Sequence, residues 1–258
     1  MEEGYATFSP KNVLSEVEWL ISNYHIKALL IDDANFTANK KRAKEIVRGF
    51  IDRNFNLKWK VMNLAVFTLD NELLELMAQS NCLYIDLAIE SGVPRVLKEI
   101  IHKPVDLDHV LRVIQRAKEL NFQISANFII GFPGETWNEI RQTIQFAERV
   151  DLDYIKIMVA MPLRHTDLYD MANDGGYLRS DFDFLNMRWG IGEIQTNEFS
   201  SIDATILRVY ECDRINFSSR EKRERAMKLL GINAEELNLL RDKTRKNLFE
   251  NIKNASGI

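Results

Sequence analysis

Carboxylates and amides recur in this chain just where apolar runs break off, and that recurrence is its main chemical signal. Asp32, Asp33 and Asn35 follow the run Lys27 to Asp32, and Asn63 lies within Leu57 to Val66. Glu90 and Ser91 close the run Leu83 to Glu90, and Asn127 precedes the turn Gly131-Phe-Pro-Gly-Glu135. One acidic residue at a strand end is ordinary, because turns favour Asp, Asn and Ser. Four successive ends bearing such groups point to a shared ligand site. Ionised Asp and Glu are pure acceptors, suited to an ammonium group or to ribose hydroxyls. Gly131 and Gly134 would let a flat ring approach the backbone. A nucleoside with an amino-acid tail satisfies both demands, although a tight strand-to-helix connection uses the same residues, and spacing alone favours that plainer role.

The elements that must carry these residues follow a strand-then-helix rhythm. Strands are expected at Lys27–Asp32, Leu57–Val66, Leu83–Glu90, Gln123–Ile130 and Tyr154–Ala160. Their starts recur about every thirty residues, the length of a βαβ unit, and right-handed crossovers then make all five parallel in one sheet. Ser9-Pro10 opens a helix as cap and first-turn proline, and Thr136 with Glu139 forms a capping box for the stripe Ile140, Ile144 and Ala147. Asn233 with Glu236 is a second such box. The expected fold is α/β, a partial (β/α)6 TIM-like barrel lacking its first strand, with a C-terminal helical extension. Chemistry in such folds lies at the carboxyl ends of the strands. The division expected is 1–178 for the barrel and 179–258 for an irregular, then helical, extension.

Composition bounds the alternatives. The chain has 258 residues and a formal net charge of −4, so no nucleic-acid footprint is expected. The basic residues between Arg214 and Lys228 are interspersed with Glu211, Asp213, Glu221 and Glu224, which reads as a solvated or packed charged face rather than a nucleic-acid patch. No apolar stretch reaches the roughly twenty residues that span a bilayer, and the first residues lack a signal-peptide pattern; a cytoplasmic protein without a membrane partner is the simple expectation. Two cysteines, Cys82 and Cys212, exclude a disulfide framework and a local cysteine metal site. His25, His102, His109 and His165 lack ligand spacing, so capping or surface roles are expected and no metal site is assigned. Cys82 and Trp19, Trp59, Trp137 and Trp189 read as packing residues.

Three runs, Ile31-Asp-Asp-Ala-Asn-Phe-Thr37, Leu87-Ala-Ile-Glu-Ser-Gly92 and Phe128-Ile-Ile-Gly-Phe-Pro-Gly-Glu-Thr136, occur in this order. Together they resemble the core of a radical S-adenosylmethionine (SAM) enzyme. Leu97-Lys-Glu-Ile-Ile-His-Lys-Pro104 and Asp213-Arg-Ile-Asn-Phe217 narrow the resemblance to the subgroup that usually carries an N-terminal cobalamin-binding domain. The resemblance implies a 4Fe–4S cluster that cleaves SAM to a 5′-deoxyadenosyl radical, a small-molecule substrate, a reductant and possibly cobalamin. Residue by residue, it implies Asp32 and Asp33 near the methionine amino group, Glu90 and Ser91 at the ribose or methionine moiety, and Ile129 to Gly131 against adenine. Asn63, Asn127 and Glu135 complete the expected SAM-binding set; Asn127 stands where the common motif has its first glycine. The family's Cys-x-x-x-Cys-x-x-Cys motif does not occur here, so the chain is expected to be inactive alone, as a portion of such an enzyme. The alternative is a non-catalytic barrel that binds a ligand or partner without redox chemistry.

Overall fold

The computed structural model describes residues 7–188 and 190–256; Trp189 lies outside them. Five strands form one sheet in sequence order: β1 (Ala28–Ile31), β2 (Lys58–Ala65), β3 (Cys82–Glu90), β4 (Gln123–Ile130) and β5 (Tyr154–Val159). The pairings β1–β2, β2–β3 and β4–β5 are all parallel. The expected strands are therefore present, with β1, β2 and β5 trimmed by a residue or so at their ends. α1 (Pro10–Tyr24) precedes them, α2 (Lys40–Asp52), α3 (Asn71–Gln79), α4 (Leu107–Glu119) and α5 (Trp137–Arg149) run between them, and α6 (Asp167–Asp174) follows β5. The expected C-terminal helices are α7 (Ser201–Phe217), α8 (Arg220–Leu230) and α9 (Ala234–Ser256).

The chain divides into two compact units, Met1–Ala88 with Asp108–Ile124, and Ile89–Leu107 with Ser125–Ile258. In the first, the apolar stripe of α2 (Ala43, Ile46, Val47 and Phe50) is fully buried, as a helix covering a sheet requires. Phe50 packs edge-on against Trp59 of β2 at 5.6 Å. The Trp59 indole N–H donates to the Ser80 carbonyl at 2.8 Å, so the burial of its one polar atom costs little. Ser9 caps α1 by accepting from the Asn12 N–H at 3.2 Å. His25 ends it in the left-handed region, its N–H returning to the Ile21 carbonyl.

In the second unit α7 lies along β5. Asn216 makes the contact an imitation strand: its Oδ1 accepts from the Ile155 N–H at 2.8 Å and its Nδ2 donates to the Ile155 carbonyl at 2.7 Å. That satisfies backbone groups an unpaired strand would leave open. Its neighbours complete the attachment. Ile215 and Phe217 are buried, Arg214 forks onto Glu148 at 2.7 Å through both nitrogens, and Arg241 of α9 forks onto Asp213. The run Asp213 to Phe217 is thus a docking element. Two basic residues of α8 pair with acids, Arg220 with Glu224 and Arg225 with Asp151.

Candidate functional site

Two turns of the second unit carry the polar groups that could meet a ligand. The first follows β3. Glu90, the last residue of that strand, holds a left-handed backbone with φ +73°, a conformation few residues other than glycine, Asn and Asp adopt. The residue is buried at 6% exposure. One carboxylate oxygen accepts from the Lys103 ammonium; the other, Oε2, is buried with no hydrogen-bond partner. An unpaired buried acceptor is costly and, beside a strained backbone, marks a place organised for something other than folding.

The Ser91 hydroxyl is spent inside the protein, sharing a hydrogen bond of 2.9 Å with Thr143 of α5 and accepting from the Val93 N–H. Its part is to fix the turn. Gly92 passes so close to α5 that an added Cβ would stand 2.5 Å from the Phe146 Cβ.

The second turn follows β4. Gly131 and Gly134 take φ of +84° and +78°, which explains glycine at both. Glu135 folds back so that its Oε2 accepts from the N–H groups of Gly131 at 2.7 Å and Phe132 at 3.1 Å. Burial raises its carboxyl to about 7 against the pull of those two N–H donors, with Glu139 adding to the rise and Arg95 opposing it. Glu135 thus builds the turn from within. Asn127 is buried on β4 beside Lys156 of β5 in register, and Ile129 stands beside Met158. Thr136 and Glu139 make the expected capping box.

A residue that sequence reasoning missed joins the turns. Arg95 donates from Nε and Nη2 to the two Glu139 oxygens, each at 2.6 Å, and from Nη2 to the Gly134 carbonyl at 2.8 Å. The guanidinium holds the Glu139 carboxyl down at about 2. Arg95 and Glu139 are 44 residues apart, so no local pattern announces the pair. Lys103 was equally unmarked except as part of the run Leu97 to Pro104.

The remaining expected site residues belong to the first unit. Asp33 Oδ1 accepts from the Asn35 N–H at 3.1 Å, the turn role that strand ends favour, and Asp32 is exposed. Asn63 is exposed with φ +55°, within the register irregularity between Val61 and Leu64.

The thiols do not fit an iron–sulfur cluster. Such a cluster needs several thiolates converging on iron. Cys82 begins β3, buried, with its thiol raised by burial and directed to the Tyr84 carbonyl. The Cys212 thiol is raised likewise and donates to the Ile155 carbonyl. Among the described residues no three His, Cys, Asp or Glu side chains converge as a metal site.

An α/β fold of parallel strands, with carboxylate and glycine turns at the strand ends, defines a class of ligand-binding enzyme folds. The family model for the Radical SAM superfamily matches residues 1–147, and the chain belongs to that superfamily. Among curated proteins it is 32% identical over 193 residues to the cytidylyl-2-hydroxyethylphosphonate methyltransferase of Streptomyces wedmorensis, covering 72% of this chain and 36% of that protein. It is also 32% identical over 181 residues to an uncharacterized methyltransferase of Pyrococcus horikoshii, covering 70% and 38%. The chain thus spans little more than a third of either relative. Among solved structures it is similar to the radical S-adenosylmethionine methyltransferase TsrM of Kitasatospora setae, determined with cobalamin and a [4Fe-4S] cluster bound. There the TM-score is 0.59 at 18% identity, over 66% of this chain and 35% of that one. The radical SAM enzyme HemN of Escherichia coli, a coproporphyrinogen III oxidase, gives a TM-score of 0.56 at 11% identity, over 81% and 46%. Both likenesses are of fold.

Proposed function

We propose that this chain is the SAM-holding portion of a radical SAM methyltransferase acting on a small molecule. Membership of the superfamily supports SAM as the ligand, and the names of the two relatives support methyl transfer. The observation that carries the reading is Glu90, a buried carboxylate at a strand end with one oxygen paired to Lys103 and the other unpartnered. Bound SAM supplies an activated methyl group and an adenosyl group. Glu90 accepts from its hydroxyl or ammonium donors, with the Lys103 ammonium holding the other carboxylate oxygen in place. The backbone of residues 129–131 lies against the adenine, and Glu135 with the two glycines holds the turn after β4 in shape. Ser91 fixes the turn that carries Glu90. A part for Asp32, Asp33, Asn63 and Asn127 in SAM binding rests on the family resemblance.

Neither Cys82 nor Cys212 is given a part in holding a cluster.

Isothermal titration of the chain with SAM tests the reading. Saturable binding is expected, with Glu90→Gln weakening it about tenfold or more, the scale of a lost hydrogen bond to a charged group. Equal affinity in the two proteins would remove Glu90 from the site.

A further inference from the structure

Arg95 serves neither the fold's core nor any ligand contact described above, yet it makes three charge-assisted or carbonyl hydrogen bonds from a solvent-facing position. Two of them form a fork onto Glu139, the N3 residue of the α5 capping box, and the third reaches the carbonyl of Gly134. Arg95 lies five residues beyond Glu90, and Gly134 lies three beyond Gly131. The same junction is bonded a second time lower down, where Thr143 of α5 shares a hydrogen bond with Ser91 and accepts from the Gly92 N–H at 3.2 Å. The turn after β3 and the turn after β4 are therefore both fastened to the first two turns of α5.

An exposed ion pair contributes little when it is a single contact between flexible side chains. This one differs in geometry. It is bidentate, and its acceptor is already held in place by the Thr136 N–H and hydroxyl, each at 2.9 Å from Glu139 Oε2. Only a guanidinium can span a carboxylate and a carbonyl from one rigid plane; an ammonium has no such fork.

We propose that Arg95 is a positioning residue of the SAM site, a clasp that keeps the Glu90 turn and the glycine turn in one fixed relation through Glu139 and the Gly134 carbonyl. The proposal rests on the SAM reading given above. It predicts that removing the guanidinium loosens the glycine turn in the ligand-free protein and costs affinity in the liganded one.

The test has a readout for each half. Amide hydrogen exchange on the ligand-free chain follows the N–H groups of Gly131 and Phe132, which Glu135 secures. Arg95→Gln is expected to speed both by about tenfold, with amides inside β4 such as Phe128 unchanged. Arg95→Lys should lie between, because it keeps the charge and loses the fork. Glu139→Gln approaches the same clasp from the other side, and the double variant should be little worse than either single one. In titrations with SAM, Arg95→Ala should bind about tenfold more weakly, and millimolar guanidinium should restore part of the loss, which a general loosening of the fold would not allow. Unchanged exchange at Gly131 and Phe132 would overturn the clasp. Faster exchange with unaltered SAM affinity would overturn its service to the ligand. Failure of the unaltered chain to bind SAM would contradict the underlying reading instead, and the exchange result distinguishes the two.

Discussion

Glu90 and Glu135 are both buried carboxylates at strand ends, but their surroundings give them different work. Glu90 has a cation on one oxygen and no partner on the other, whereas Glu135 turns Oε2 onto two N–H groups of its own turn and buries Oε1 without a partner. The second arrangement has a consequence for stability. The Glu135 carboxyl stands at about 7 in the folded protein, above its ordinary 4.5, with burial as the leading cause. The folded state therefore binds this proton more tightly than the unfolded chain. Its contribution is fully present below about pH 4.5 and declines as pH rises toward 7, by roughly 3 kcal/mol at 1.36 kcal/mol per unit. Glu139 runs the opposite way: depressed to about 2 by Arg95, it stabilises above its unfolded value and loses that contribution as pH falls toward 2. Between pH 5 and 7.5 the Glu135 effect dominates this pair. Denaturant unfolding at those two pH values should show a decline with pH in the wild type that is largely absent in Glu135→Gln. An unaltered decline would show that Glu135 does not titrate in that window.

At the scale of elements, α5 is the beam on which both turns are mounted, and its approach to Gly92 fixes how closely. A Cβ at Gly92 would meet the Phe146 side chain at 2.5 Å and the Thr143 Cα, a backbone atom, at 3.1 Å. Gly92→Ala should therefore destabilise the protein by about 1–3 kcal/mol, as overpacking does, measured as a fall in the urea midpoint at constant slope; no change in midpoint would mean that α5 can retreat. Much at this scale was legible in the residues. The five strands, the Ser9 cap, the Thr136–Glu139 box and the Asn233–Glu236 box all follow from apolar period and end chemistry, which act over a few residues. The Ser200–Asp203 box is of the same kind and could have been read. The candidate site was legible as to which turns carry it, since carboxylates and glycines stand where strands stop. What each side chain does there was not. The Glu90–Lys103 ion pair, the inward bonding of Ser91 and the Arg95–Glu139 clasp depend on partners 13, 52 and 44 residues away, and only folding brings those together.

Over the whole molecule, the sequence matches the superfamily through residue 147, and the remainder supplies β5 with the helices that cover it. The run Asp213 to Phe217 makes that attachment: Asp213 bonds to α9, Arg214 to α5 and Asn216 to β5, Phe217 packs on Tyr154 of β5, and Ile215 is buried. None of the described helices is long and apolar enough to cross a membrane. The central claim is that SAM sits against the turns after β3 and β4, and the most direct test reads the amides of those turns. In ¹H–¹⁵N spectra of the chain titrated with SAM, the resonances of Ser91, Gly131 and Phe132 should shift in proportion to occupancy. Those of Ile194 and Leu237 should stay in place. Shifts confined to other residues, or none at saturating SAM, would contradict the account.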